Sequence, residues 1–151
     1  MRRSSFTVFA LTVCIASFVS LPLHAVEPRW AWQNPQPTGS TLRAITFLDI
    51  STVVAVGDGG TVIRSDDAGL TWTDIDTHTG LYIYDVSFGT TSIGLAVGSR
   101  GVVLRTSDGG VQWDFAPSPT TGEIDDVFLL DGATGFLVDS YVSDYYTLFR
   151  T

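Results

Sequence analysis

An internal repeat dominates the sequence after residue 40. The first two units align without gaps at an offset of 41 residues, with Ala55–Trp72 falling on Ala96–Trp113. A third unit begins on the same period near Asp126, and it needs about four inserted residues at 140–145 to match the others. A repeat of this length indicates one small module per unit, and each module buries its apolar surface against its neighbours.

Each unit has the pattern of short strands joined by turns. Apolar runs of four to six residues, rich in Val, Ile, Phe and Thr, alternate with Gly, Asp and Ser, and no stretch has helical periodicity. The predicted strands are 42–47, 53–57, 61–65, 71–76, 83–88, 94–98, 102–106, 112–116, 124–129, 135–139 and 146–151. Four short strands in about 41 residues is the period of a β-propeller blade. We therefore predict an all-β fold of four-stranded antiparallel blades, complete at 41–77 and 82–117 and partial at 123–151.

The first two units carry the same turn motif. Its residues are Ser65, Asp67, Gly69, Thr71 and Trp72 in the first unit and Thr106, Asp108, Gly110 and Trp113 in the second, where Gln112 replaces the second hydroxyl residue. In a tight turn an Asp carboxylate can accept backbone N–H bonds, and a Gly supplies a positive φ. The Trp leaves the turn and can pack between sheets. The motif therefore predicts a structural role for both aspartates, and we expect no catalytic residue among them.

These motifs are Asp-boxes, the hairpin signature of bacterial neuraminidase-type repeats. Each follows a similar lead-in, Ala55-Val56-Gly57-x-x-Gly60 or Ala96-Val97-Gly98-x-x-Gly101, and Trp32-Gln33-Asn34-Pro35 precedes the first blade. With these features the chain resembles the photosystem II assembly and stability factor type of propeller over nearly all of residues 30–151. The resemblance implies a non-catalytic scaffold that binds a protein partner, which in a phototrophic host would be a photosystem II subunit precursor. It implies no cofactor.

The first residues have the pattern of an export signal. Arg2 and Arg3 give a positive start, Phe6–Val19 is a nearly unbroken apolar run, and Leu23-His24-Ala25 resembles a small-residue cleavage site. We predict a signal peptide at 1–25 and a partial propeller at 26–151, with an uncleaved anchor as the alternative. The expected location is periplasmic or extracellular, or the thylakoid lumen in a cyanobacterial host.

Composition excludes several classes of function. All eight basic residues are Arg against sixteen acidic residues, and the formal net charge of −8 argues against a nucleic-acid partner. After residue 25 there is no Cys and one His, so thiol catalysis and a Cys zinc site are excluded. That residue, His78, lies in a Thr/Gly stretch typical of a loop, and the acidic turns lack the alternating ligands of a calcium loop. We therefore expect no metal site.

Arginines occupy one repeat position in all three units. Arg64, Arg105 and Arg150 each come just before a box position, so blade symmetry predicts the same radius and height for the three guanidinium groups. Such a row could bind carboxylates of a partner protein. In the alternative, each arginine pairs with a nearby Asp and ties neighbouring blades together.

An enzyme is the alternative function, because sialidase-like glycoside hydrolases also contain Asp-boxes. The chain has only two glutamates, Glu27 and Glu123. Asp74 and Asp76, two residues apart on a predicted strand, would share one face and could form a carboxylate pair. Solvated surface acids are the simpler interpretation of this pair.

The order of strands raises the question of how the ring closes. Residues 29–33 resemble an outer strand, and in closed propellers an N-terminal outer strand commonly completes the last blade. Here that closure would give three blades, below the roughly four to eight of known propellers. We therefore expect an N-terminal fragment of a longer propeller, or a homo-oligomer if the chain is complete.

Tyr141, Tyr145 and Tyr146 lie in the third-unit insertion, where they suit either recognition or packing over a blade edge.

Overall fold

The computed structural model describes residues 30–32, 36–141 and 145–150. The chain divides into two units, Met1–Trp32 and Gln33–Thr151, and all described strands lie in the second. They are β1 (Leu42–Phe47), β2 (Val53–Gly57), β3 (Val62–Ser65), β4 (Thr73–Ile75), β5 (Ile83–Phe88), β6 (Gly94–Gly98), β7 (Val103–Thr106), β8 (Asp114–Phe115), β9 (Glu123–Leu129), β10 (Gly135–Tyr141) and β11 (Tyr145–Arg150). Across the described segments, no helix is long and apolar enough to cross a membrane.

The strands form three antiparallel sheets in chain order. Blade 1 has the order β1-β2-β3-β4, blade 2 has β5-β6-β7-β8, and blade 3 pairs β9, β10 and β11. This arrangement confirms the predicted all-β class and the four-stranded antiparallel blades. The predicted signal peptide at 1–25 lies outside the described residues. Residues 30–32 are not in a strand, so the outer strand expected at 29–33 does not form in its described part.

The outer strands are shorter than predicted. We expected 71–76 and 112–116, and the structure has Thr73–Ile75 and Asp114–Phe115. The Asp-box explains the difference, because its carboxylate takes the backbone N–H of Thr71 or Gln112 and holds those residues in the turn. A residue held in the turn by such a bond cannot join the ladder through the same N–H.

Each innermost strand contains one irregular step in its pairing, at the same repeat position. The register shifts between Leu42 and Ala44 in blade 1 and between Ile83 and Asp85 in blade 2, and a matching shift occurs where β10 pairs with β9. The unpaired residues are Arg43, Tyr84 and Asp125. A β-bulge re-aims its side chain, so the fold itself sets these three side chains apart from the packed faces.

The core lies between the blades. The larger cluster joins Val54, Val56 and Val62 of blade 1 to residues of blade 2 that include Val86 and Leu104. A smaller cluster joins blades 2 and 3 and consists of Val97, Val103, Ile124 and Val127. Strand β2 is buried along its whole length, as expected for a sheet that is covered on both faces.

Trp113 is the largest side chain in the first interface. Its ring meets Phe88 edge to face, with centroids 5.9 Å apart, and its Nε1 donates to the carbonyl of Gly110 at 3.2 Å. The indole ring therefore packs in the apolar interface while its N–H keeps a hydrogen-bond acceptor.

A first test compares the two box tryptophans. Trp113 is 4% exposed, whereas Trp72 is only partly buried. We expect Trp113→Ala to lower the free energy of unfolding by about 3–5 kcal/mol, because it leaves a cavity between two blades. Trp72→Ala should cost less. Urea unfolding followed by far-UV circular dichroism measures both variants, and equal losses would contradict this account of the interface.

Candidate functional site

The two Asp-boxes are closed hydrogen-bonded turns. Asp67 accepts hydrogen bonds from the Ser65 hydroxyl at 2.8 Å, from the Thr71 amide at 2.8 Å and from the Thr71 hydroxyl at 2.7 Å. The bonds from Thr71 are the largest cause that lowers the pKa of Asp67 to about 2. Gly69 supplies the left-handed residue of the turn, with φ of 87°.

The second box repeats this arrangement. Asp108 accepts from the Thr106 hydroxyl at 2.8 Å and from the backbone amides of Val111 and Gln112 at 3.0 Å. The backbone N–H of Gln112 thus makes the same bond as the backbone N–H of Thr71 in the first box. Turn donors thus bind both carboxylate oxygens of Asp67 and the Oδ1 of Asp108.

The three arginines of the predicted row differ in burial and in their contacts. Arg64 is mostly buried, and its Nε donates to the carbonyl of Gly109 in blade 2 at 2.9 Å while its Nη1 pairs with Asp66. Arg64 therefore ties blade 1 to the box turn of blade 2, as the alternative interpretation held. Arg105 and Arg150 are exposed, and both line the space between blades 2 and 3.

That space is a cleft of about 560 Å³. Its walls are mainly apolar, and they include Leu95, Ala116, Pro117, Val127, Leu137 and Phe149. Trp113 lies in the interface between blades 1 and 2. A cleft of roughly 300–1,000 Å³ with a few polar groups at its margin is typical of a ligand site. Here Arg105 and Arg150 are the charged groups that line it.

A second cluster, which the sequence did not reveal, surrounds the bulges. The Arg43 guanidinium lies 5.7 Å from the ring centre of Tyr82 and 5.2 Å from that of Tyr84, and it pairs with Asp58. The Tyr84 hydroxyl donates to Glu123 at 2.6 Å. This bond is the main cause that raises the pKa of Tyr84 to about 12, so the phenol stays a donor.

The three bulge residues line one open depression of about 590 Å³ together with Glu123. The sequence did carry a signal for this cluster. At the bulge position the units have Arg43, Tyr84 and Asp125, while the residue before it is apolar in all three. A position whose chemistry changes within an otherwise regular repeat is not required by packing.

Asp85 links the innermost strands of blades 2 and 3. Its carboxylate accepts the backbone N–H of Val127 at 2.9 Å, and two residues later the Ser87 hydroxyl accepts that of Leu129 at 3.0 Å. The pKa of Asp85 is raised to about 6, with burial as the largest cause and the neighbouring Asp126 as a smaller one.

The remaining sequence candidates do not form a site. Strand β4 ends at Ile75, so Asp74 and Asp76 do not share the strand face predicted for a catalytic pair. Asp76 instead accepts the backbone N–H of His78 at 2.8 Å, and both side chains are exposed. In the described parts of the chain, no three His, Cys, Asp or Glu side chains are grouped to hold a metal. Of the insertion predicted at 140–145, residues 142–144 lie outside the described residues.

The blades and their box turns define the class of protein: an Asp-box β-propeller. Residues 70–138 match the family described as photosynthesis system II assembly factor YCF48. The chain is also similar to two solved structures, each covering 76% of it. "YCF48 bound to D1 peptide" has 26% identity and a TM-score of 0.66, and YCF48 from Cyanidioschyzon merolae has 30% identity and a TM-score of 0.62.

These findings confirm the resemblance to the photosystem II assembly factor type of propeller. The chain spans 38% and 35% of the lengths of the two solved chains. No curated protein matches it.

A pH series tests the environment of Asp85. Because its pKa is raised from 3.8 to about 6, the folded state binds more protons than the unfolded state between these values, and stability falls as the pH rises through them. Asp85→Asn retains an acceptor for Val127 and removes the titration. We therefore expect the free energy of unfolding of the variant, minus that of the parent, to be larger at pH 7 than at pH 4. Urea unfolding measures both. Asp114→Asn, which removes an exposed carboxylate from the same blade, is the control. A gain independent of pH would contradict the assignment.

Proposed function

We propose that the chain is a non-catalytic scaffold that binds an extended segment of a partner protein in the cleft between blades 2 and 3. The observation that carries the proposal is the combination of an apolar cleft of about 560 Å³ with two exposed arginines that line it. Apolar walls can take side chains of a peptide, and guanidinium groups bind carboxylates in a bidentate manner.

The similar structures support a protein partner. One of them is described as bound to a D1 peptide, and by analogy the partner of this chain is a photosystem II subunit precursor if its host is phototrophic. The turn bonds of Asp67 and Asp108 support a structural role for these two aspartates.

A titration calorimetry experiment with a D1 peptide tests this site. Arg105→Ala should weaken binding by about tenfold or more, because a charge-assisted hydrogen bond contributes roughly 1.5–3 kcal/mol. Arg100→Ala removes another exposed arginine of blade 2 that does not line the cleft, and it should leave the affinity nearly unchanged. Equal affinities for the parent and Arg105→Ala would exclude the cleft as the binding site.

We further propose that the protein acts after export. The proposal is supported by the positive start, the apolar run and the small-residue site that ends at Ala25. N-terminal sequencing of the protein from its native host should give Val26 as the first residue. An intact Met1 would favour the retained anchor instead.

A further inference from the structure

Among the described residues, two carboxylates and one arginine line the open depression at the bulges, which we name the bulge depression. The arginine, Arg43, is already paired with Asp58. Glu123 accepts the hydroxyl of Tyr84, which is a neutral donor. Asp125 is exposed, and its carboxylate makes no hydrogen bond or ion pair with any residue that the structure describes. Within this part of the chain, Glu123 and Asp125 therefore line the depression without a compensating cation.

A third carboxylate is buried beside this depression. Asp139 is 3% exposed, and its Oδ1 has no hydrogen-bond partner in the described segments. Asp139 pairs across the ladder with Ile124, which lies between Glu123 and Asp125. It also directly precedes Ser140, which lines the depression. The unpartnered carboxylate thus adds to the acidic character of the same place in the fold.

Packing of the repeat does not require a side chain at the position of Asp139. The other two blades have Gly57 and Gly98 at this ladder position, and at either one an added Cβ would lie 2.0 Å from a backbone oxygen. A buried carboxylate without a partner is costly. A cation bound nearby would offset part of that cost by electrostatic attraction.

The acidic groups of the depression are held in place before any ligand binds. The guanidinium of Arg43 lies over the rings of Tyr82 and Tyr84, at 5.7 and 5.2 Å from their centres. The Tyr84 hydroxyl in turn holds Glu123 at 2.6 Å. Because these contacts fix the Glu123 carboxylate, less conformational entropy is lost when a ligand binds to it.

We infer that the bulge depression binds a basic side chain, arginine or lysine, of a partner protein. Glu123 and Asp125 can accept the hydrogen bonds that a guanidinium or ammonium group donates, and such charge-assisted bonds are stronger than neutral ones. The occupant follows from charge complementarity, because the arginine that lines the depression is already paired.

The bulge depression is separate from the surfaces through which the blades pack on one another. The bulges lie on the innermost strands, and the blades of a propeller surround a central channel. The depression also shares no lining residue with the cleft between blades 2 and 3, which is lined by Arg105 and Arg150. The two sites select opposite charges, and this inference does not depend on the cleft.

An NMR titration of the isotope-labelled chain tests the inference. The probe is acetyl-Gly-Arg-Gly-amide, and acetyl-Gly-Gln-Gly-amide is its uncharged counterpart. We expect the arginine peptide to shift the amide signals of Tyr84, Glu123 and Asp125 in a saturable manner, and the glutamine peptide to leave them in place. Asp125→Asn should raise the dissociation constant by about threefold to fivefold, because it removes one exposed charge. Glu123→Gln should have a similar effect, and it retains an acceptor for Tyr84.

Asp74→Asn is the matched control for these variants. It removes an exposed carboxylate of blade 1 that does not line the depression, and it should leave the dissociation constant unchanged. All three variants have the same net charge, so a general attraction to the acidic chain would change equally in each. Equal effects of Asp125→Asn and Asp74→Asn would overturn the inference. So would the absence of saturable shifts with the arginine peptide, or equal shifts with both peptides.

Discussion

The packing of one blade on the next is the interaction on which the rest of the structure depends. The central strands of blades 1 and 2 point apolar side chains to both faces, so neither sheet can be stable with one face in water. No Cys follows residue 25, and disulfides cannot replace this packing. Burial of each Val, Leu or Ile side chain contributes roughly 1.5–3 kcal/mol, which makes the inter-blade clusters the main stabilising element.

The Asp-box makes this packing repeat from blade to blade. Its carboxylate binds donors within the turn, which sets the direction in which the following Trp leaves. The indole of Trp113 then lies between blades 1 and 2, and Arg64 reaches from blade 1 to the same turn. An Asp and an Arg, residue types that often serve catalysis or binding, thus stabilise the fold at this interface.

The sequence predicted the fold better than the site. Strands 42–47, 53–57, 83–88 and 94–98 were predicted at their observed bounds, because alternating apolar residues and turn residues act locally. The arginine row shows the limit. Repeat symmetry predicts equivalent positions for Arg64 and Arg105, but the acceptor of Arg64 is the Gly109 carbonyl of another blade, which no local pattern specifies. The bulge cluster was missed because its signal, a repeat position that changes chemistry from unit to unit, marks a bulge only once the backbone pairing is known.

Side chains at the bulge positions are less constrained by packing than side chains on the faces between blades. Residues on the packed faces are constrained by both neighbouring blades, whereas the bulge residue has no partner in the ladder. Three chemically different side chains, Arg43, Tyr84 and Asp125, can therefore occupy one position without cost to the blades. Because the raised pKa of Tyr84 keeps its hydroxyl protonated, the bond to Glu123 persists across the physiological pH range. The result is a polar surface whose Arg43–Tyr84 and Tyr84–Glu123 contacts connect the three blades.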